Sequence, residues 1–266
     1  MPDSIPNFLQ GLEKKSFLSE DNVPIISSVT PLGEIKFWGY GQTSEFRVRT
    51  LLSKEPETIN WINSFDVGST FWDVGANIGG YSLYASLVGN TRVMSFEPSS
   101  FNYFLLNKNI YLNQKDNNIS AYNIAFSNKN TLDILYLSSV ECGNAGNTFS
   151  FKTDAYGKEM DPVFQHHCLG FTIDNFIQQY NIEHPNYLKI DVDGIESLIL
   201  KGAKATLSNR LLKSVLVEVN ENETSEVAEI CSYMEESGFC RIVKRHSPYY
   251  DNSYYKPFFN YIFYRD

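Results

Sequence analysis

The chain has 266 residues, 42% of them apolar, enough for a sizeable core in one large or two small domains. Its 22 basic and 31 acidic side chains give a net charge of −9, and no cluster of Lys or Arg offers a footprint for a phosphate backbone, so composition argues against a nucleic-acid partner. No window nears the ~20 consecutive apolar residues of a membrane-spanning helix, and the opening MPDSIPNFLQGLEKK lacks a basic stretch followed by an apolar one; the expectation is a soluble, cytoplasmic protein without a membrane partner.

Residues 1–44 read as an N-terminal extension, with prolines, mixed polarity and one strand-like run, GEIKFWGY. From residue 45 to 266 the pattern is that of one domain. KEPETINWINSF predicts a helix opened by acidic residues that suit its N-terminal dipole. An alternation then begins: STFWDVG (69–75) as a buried strand, GYSLYASLVG as a helix ending at Gly89, RVMSFEP (92–98) as a second strand, SSFNYFLLNKNIYLN as a helix and ISAYNIAFS as a third strand. Strand and helix in alternation imply a parallel sheet wound by crossover helices.

Residues 127–170 interrupt this rhythm. TLDILYLSS has strand character, but the polar, glycine-bearing remainder reads as an insert or long loop, and such loops are usually functional. The alternation resumes with FTIDNFIQQY (helix), NYLKIDVDG at 186–194 (strand), IESLILKGAKATL (helix), KSVLVEVN at 213–220 (strand) and SEVAEICSYMEESG (helix stopped by Gly238). FCRIVKR and PFFNYIFYR are joined by a link too short for a crossover helix and close the chain as an antiparallel pair. The expected fold is α/β: a doubly wound, Rossmann-like, seven-stranded sheet, mostly parallel with a terminal antiparallel hairpin.

In such sheets ligands bind beyond the C-terminal strand ends, beside the first strand. There the chain carries Asp73, Gly75, Asn77 and Gly79, a D-x-G-x-N-x-G pattern rather than the G-x-G-x-x-G of dinucleotide sites. A pyrophosphate calls for backbone amides and a helix dipole, whereas an aspartate at the strand end repels it and attracts an ammonium or sulfonium. That favours S-adenosylmethionine over NAD. Glu97 ends the second strand about 20 residues after the glycine loop, where an acid can accept hydrogen bonds from both ribose hydroxyls. The four cysteines, Cys142, Cys168, Cys231 and Cys240, have no CxxC spacing and signal neither zinc nor a redox pair.

The runs FWDVGANIGGYSLYAS, VMSFEPSS, NIAFSN and LKIDVDGIESLILKGAKATL resemble the FkbM family of class I, S-adenosylmethionine-dependent methyltransferases, over roughly residues 45–220. The K-x-D-V-[ED]-G-x-E run is the specific part, and Asp193 stands where the family usually has glutamate. The resemblance implies that Asp73, Gly75, Ala76, Asn77 and Gly79 surround the methionine end of the cofactor. By the same resemblance Glu97 and Pro98 meet the ribose, Asn123, Ile124 and Ala125 meet the adenine edge, and Asp191 lies near the methyl group. It also implies O-methylation, commonly of a sugar or polyketide-type hydroxyl, so the expected acceptor is a small molecule or glycan.

Methyl transfer is an in-line displacement, so the enzyme positions the acceptor and removes its proton. Alternation along 186–194 predicts Lys189, Asp191 and Asp193 on one face, as a counter-ion set or part of the catalytic apparatus. His166 and His167, in the insert, are candidate general bases. Asp191 or Asp193 with Glu218 and Asn220 offers an all-oxygen set for a magnesium-type ion, a possible metal site against which stands the simpler reading of Asn220 as a helix cap. SPYY at 247–250 faintly resembles the proline-aromatic motif of amino-group methyltransferases, but it does not follow the fourth strand, which favours an oxygen acceptor. The alternatives are a methyltransferase-like binding module without turnover and, more remotely, a nicotinamide oxidoreductase.

Overall fold

The computed structural model describes residues 23–253 and 255–265; the first 22 residues of the expected extension lie outside it. The chain begins with an antiparallel hairpin, β1 (Ile25–Thr30) and β2 (Gly33–Trp38). Only its second strand is recognisable in the sequence. The hairpin is stitched to a later helix by asparagines: Trp38 N donates to Asn109 Oδ1 at 2.9 Å and Lys36 N to Asn113 Oδ1 at 2.9 Å. Two helices follow, α1 (Gln42–Thr50) and α2 (Pro56–Asn63), the latter with Pro56 in its first turn, where a missing N–H costs nothing.

The central sheet has seven strands in the order β5-β4-β3-β10-β11-β13-β12. These are β3 (Thr70–Val74), β4 (Arg92–Phe96), β5 (Ile119–Tyr122), β10 (Tyr187–Ile190), β11 (Ser214–Asn220), β12 (Arg241–Arg245) and β13 (Phe258–Tyr264). The pairs from β5 to β11 are parallel and β12 pairs antiparallel with β13, as the sequence predicts; the structure adds that β13 lies between β11 and β12. The chain winds outward from β3 to one side through β4 and β5, then to the other through β10 and β11, so the switch point lies at the C-terminal ends of β3 and β10.

All five residues of β3 are buried, and they alternate between two apolar layers. Phe71 packs with Val93, Tyr187 and Leu216 on the face that also buries Val48, Ile62, Leu83 and Leu105, while Trp72 packs with Phe96, Leu188 and Val215 on the face that buries Phe176, Ile199 and Ile230. Pairing in register sets Lys189 of β10 beside Asp73 of β3, on the first of these faces.

Five local expectations are corrected. The helix α3 (Gly80–Ala85) ends four residues before Gly89, because Leu87 N and Val88 N bond three residues back, to Tyr84 O and Ala85 O. ISAYNIAFS is two strands in different sheets, β5 and β6 (Ala125–Phe126), parting at Asn123. The 127–170 insert is largely a second sheet, order β6-β9-β7-β8, with β7 (Thr131–Leu137), β8 (Thr148–Phe149) and β9 (Phe164–Phe171). Phe171 therefore ends a strand, and α5 (Ile173–Tyr180) starts after Thr172, whose hydroxyl accepts from Asn175 N.

IESLILKGAKATL divides into α6 (Glu196–Lys201) and α7 (Lys204–Ser208) at Gly202, where a Cβ would collide with the Ser127 carbonyl. The remaining helices, α4 (Ser100–Leu112) and α8 (Thr224–Glu236), lie where the sequence places them. No helix among the described residues is long and apolar enough to cross a membrane.

Candidate active site

A cavity of about 240 Å³ opens at the C-terminal edge of the sheet. The loop after β3 contributes Gly75 and Asn77, the end of β4 contributes Glu97 and Pro98, the turn after β10 contributes Asp191 to Asp193, and β11 contributes Glu218. Gly75 has φ +86, and a Cβ on it would run into the carbonyl oxygen of Asp191. Only glycine lets the β3 and β10 loops touch this closely. Ala76 lines a side chamber beside Gly75, and Gly79, at φ +87, starts α3.

Glu97 is the buried hub of the first wall. Its carboxylate accepts from Asn77 N at 2.8 Å and from Ser99 N at 2.9 Å, which ties the end of β4 to the glycine loop. Burial pushes its carboxyl up to about 7, against the pull of those amide bonds, of Asn102 and of Arg47. Oε1 also takes a long contact from Asn102 Nδ2 at 3.5 Å, whereas Oε2 accepts from Asn77 N alone and so has capacity to accept from a ligand hydroxyl in the cavity that Glu97 lines.

Asp73, by contrast, sits behind the loop and lines none of the three cavities around it. One carboxylate oxygen accepts from Ser82 Oγ at 2.6 Å; the other is buried without a hydrogen-bond partner among the described residues. Burial raises its carboxyl, and the Lys189 ammonium opposes that. Lys189 is fully buried and donates to Asp191 Oδ2 at 2.6 Å. Burial alone would lower the Lys189 ammonium, but Asp191, Asp73 and Glu55 together hold it above its ordinary value.

The face predicted for Lys189, Asp191 and Asp193 holds only for the first two. β10 ends at Ile190, and Asp193 lies in the following turn at φ +66, next to Gly194 at φ +115. Aspartate tolerates this left-handed backbone better than most residues. Its carboxylate accepts from Gly146 N at 2.7 Å, so it anchors the insert. Glu196 staples the same turn by accepting from Val192 N and Gly194 N, both at 3.0 Å.

The other candidate residues take the following positions. Asn123 donates to the carbonyls of Glu97 (2.8 Å) and Pro98 (3.0 Å), pinning the strand end, whereas Ile124 and Ala125 do line an apolar slot of about 20 Å³ beside Pro98. His166 lies on β9, its Nε2 3.5 Å from Ser100 N, and neither it nor His167 lines the cavity. Asn220 is committed to Ala155 O at 3.0 Å and to Asn222 N at 3.1 Å, leaving Asp191 and Glu218 without a third oxygen ligand from it. No group of three or more His, Cys, Asp or Glu among the described residues is arranged to hold a metal ion.

The opposite wall was not visible in the sequence. Arg47 of α1, Lys54 and Glu55 before α2, and Tyr250 in a single 3-10 turn (Pro248–Tyr250) meet there. Glu55 is buried, 3.1 Å from Lys54 Nζ and 3.0 Å from the Tyr250 hydroxyl, which donates to it. Burial would raise its carboxyl, but Lys54 and Lys189 bring it down to about 2. Glu218, crowded by burial, Asp191 and Glu55, is pushed well above the usual range.

A strap from the insert crosses between the walls. Glu141 accepts from Thr43 N, Gly143 O from Arg47 Nε, and Asn144 O from Asn77 Nδ2 (2.9 Å) and Asn102 Nδ2 (3.0 Å). The only sequence cue to it was the polar, glycine-bearing composition.

The family model described as the methyltransferase FkbM domain matches residues 73–240, more than half of the chain. The chain belongs to the FkbM methyltransferase family. Among solved structures it is similar to an FkbM methyltransferase from Methylobacillus flagellatus KT, with 17% identity and a TM-score of 0.53 over 75% of this chain. It spans 44% of that protein's length. It is similar too to SMU.1697c from Streptococcus mutans, assigned as a methyltransferase and solved with SAH, at 10% identity and a TM-score of 0.50, covering 80% of this chain and 98% of that one. Both likenesses carry the class I methyltransferase fold. A protein assigned as an rRNA methylase from Clostridium thermocellum has a TM-score of 0.48 at 10% identity, covering 80% of this chain and 95% of that one, too slight a likeness to speak for an acceptor. Comparison with curated proteins gives no match. Arg47, Lys54 and Glu55 precede the matched FkbM region, and Tyr250 follows it.

Proposed function

We propose that this FkbM-family chain transfers a methyl group from S-adenosylmethionine to a hydroxyl oxygen of a small molecule or glycan, most plainly a sugar. The observation that supports this best is the convergence of Gly75 and Asn77, Glu97 and Pro98, and Asp191 to Asp193 from three adjacent strand ends on one cavity. These residues fit the cofactor chemically. The glycine loop gives backbone access, Glu97 has lone pairs for ribose hydroxyls, and Ile124, Ala125 and Pro98 give an apolar edge for a base.

When bound, S-adenosylmethionine supplies an electrophilic methyl group on a sulfonium. The chain's own part is to exclude water, orient the acceptor and take its proton. Asp191 lines the cavity with its carboxylate held by Lys189, and it is the base in this reading. Glu218 lines the same cavity, and burial together with Asp191 and Glu55 favours its protonated form, which is the form that can donate a hydrogen bond to the acceptor. The turn after β10 reads DVDG, without the proline-aromatic motif of base N-methylation, which supports an oxygen acceptor. The reading needs no divalent metal, and undiminished turnover in excess EDTA is the expected result.

Calorimetric titration with S-adenosylhomocysteine tests the reading. Micromolar binding by the wild type, lost in Glu97→Ala and followed by turnover on a panel of sugar hydroxyls that Asp191→Asn abolishes, is expected. Binding without turnover on any hydroxyl would instead support a binding module, and no binding by the wild type overturns the cofactor assignment.

A further inference from the structure

Three cations surround the cavity and its side chamber: Arg47, Lys54 and Lys189. Two are neutralised in place, Lys54 by Glu55 at 3.1 Å and Lys189 by Asp191 at 2.6 Å. Arg47 has no carboxylate within ion-pairing distance among the described residues, and its one hydrogen bond runs from Nε to the Gly143 carbonyl of the strap. That bond leaves both terminal nitrogens of the guanidinium unspent. An arginine fork so placed is built to take a planar anion in two parallel hydrogen bonds.

The space Arg47 faces narrows what that anion is. Arg47 lines both the main cavity and a side chamber of about 60 Å³ between α1 and the glycine loop. The two spaces share Lys54, Gly75, Asn77 and Asp191 as well, so they adjoin. A volume of that size holds about four water-sized groups. It suits the carboxylate and ammonium of an amino acid and is too small for a sugar ring or a nucleobase. Of the charged groups that line the chamber, Lys54 and Glu55 are paired with each other and Lys189 with Asp191, so Arg47 is the one whose charge is open to a carboxylate.

We propose that Arg47 is the residue that binds the α-carboxylate of the methionyl end of the cofactor, in the side chamber between α1 and the glycine loop. The inference rests on the cofactor reading above and adds to it a residue outside the matched family region. It also gives the strap a purpose. Gly143 holds Arg47 through its carbonyl, while Asn144 holds Asn77 on the glycine loop, so one short segment sets the two sides of the chamber against each other.

The test compares two ligands by calorimetry on the full chain: S-adenosylhomocysteine and 5′-methylthioadenosine, which has the same nucleoside but no amino-acid end. In Arg47→Met the affinity for S-adenosylhomocysteine should fall about tenfold to a hundredfold, the loss of a charge-assisted pair, while methylthioadenosine binds within twofold of the wild type. Retained methylthioadenosine binding also shows that the variant folds. Arg47→Lys, which keeps the charge but not the fork, should recover part of the loss.

Equal affinity of wild type and Arg47→Met for S-adenosylhomocysteine overturns the assignment and points Arg47 at an anion on the acceptor. An equal loss for both ligands also overturns it, because Arg47 would then only hold the site in shape. If the wild type binds neither ligand, the cofactor reading falls first and this inference falls with it.

Discussion

The two walls of the cavity are held by different forces. The wall made by β3, β4 and β10 is set by backbone geometry: a glycine that must touch the next loop, and amides that close on Glu97. The wall made by α1, the residues before α2 and the Tyr250 turn is set by charge, with Glu55 buried between two lysines and a tyrosine hydroxyl. A backbone wall is written locally and survives as a short motif. A charge wall exists only after segments some 200 residues apart have met.

If that contrast is right, the largest effect belongs to the charge wall. Glu55→Gln leaves Lys54 without its counter-charge and removes one of the three carboxylates that hold Lys189, and breaking a buried pair this way costs about 3 to 5 kcal/mol. Denaturant unfolding at neutral pH checks it, and a loss below about 1 kcal/mol would show that solvent satisfies Lys54 and that Asp191 and Asp73 suffice for Lys189. The pH dependence has a definite sign. A carboxyl held down at about 2, against its ordinary 4.5, stabilises the fold above pH 4.5 and loses that contribution as the pH falls toward 2.

Glu97 titrates with the opposite sign. Its carboxyl is pushed up to about 7 from 4.5, so the folded chain prefers it protonated. The stabilising state is complete below pH 4.5 and is lost as the pH rises through 7, by about 3 kcal/mol. Glu97→Gln cannot ionise, so the stability of the wild type relative to this variant should decline across that window. A flat difference from pH 4.5 to 8 would mean that the amide bonds, rather than burial, govern Glu97.

Gly75→Ala tests the backbone wall directly. The left-handed backbone and the collision with the Asp191 carbonyl together should cost about 2 to 3 kcal/mol and open the contact between the β3 and β10 loops. Affinity for S-adenosylhomocysteine should fall with it. A variant that keeps both stability and affinity would show that the loops need not touch.

The same contrast explains what the sequence made legible. Buried five-residue strands, their spacing and the glycine loop are local, so the seven-stranded sheet, its terminal hairpin and the positions of Gly75, Glu97 and Asp191 could all be read. Asp73 was read as facing the ligand, because the sequence tells which strand end it occupies but not that Ser82 and Lys189 draw it inward. The insert sheet was missed because β9 buries only Cys168 and Gly170 completely, too weak an alternation to stand out. Arg47, Lys54, Glu55 and Tyr250 carry no local signal, since nothing in α1 or in SPYY says what lies across the cavity.

The smallest effect belongs to a residue outside both walls. His166 was a reasonable candidate base from its place in the insert, yet β9 carries it to the start of α4, where its ring meets Ser100 N at 3.5 Å and its Nδ1 faces the His167 carbonyl at 3.1 Å. A bond that long contributes little. His166→Ala should therefore change stability by no more than about 0.5 kcal/mol and leave the affinity for S-adenosylhomocysteine unaltered. If the substitution instead weakened binding tenfold, β9 would have to approach the cavity in the bound state, and the line between the two walls and the rest of the insert would need to be redrawn to include it.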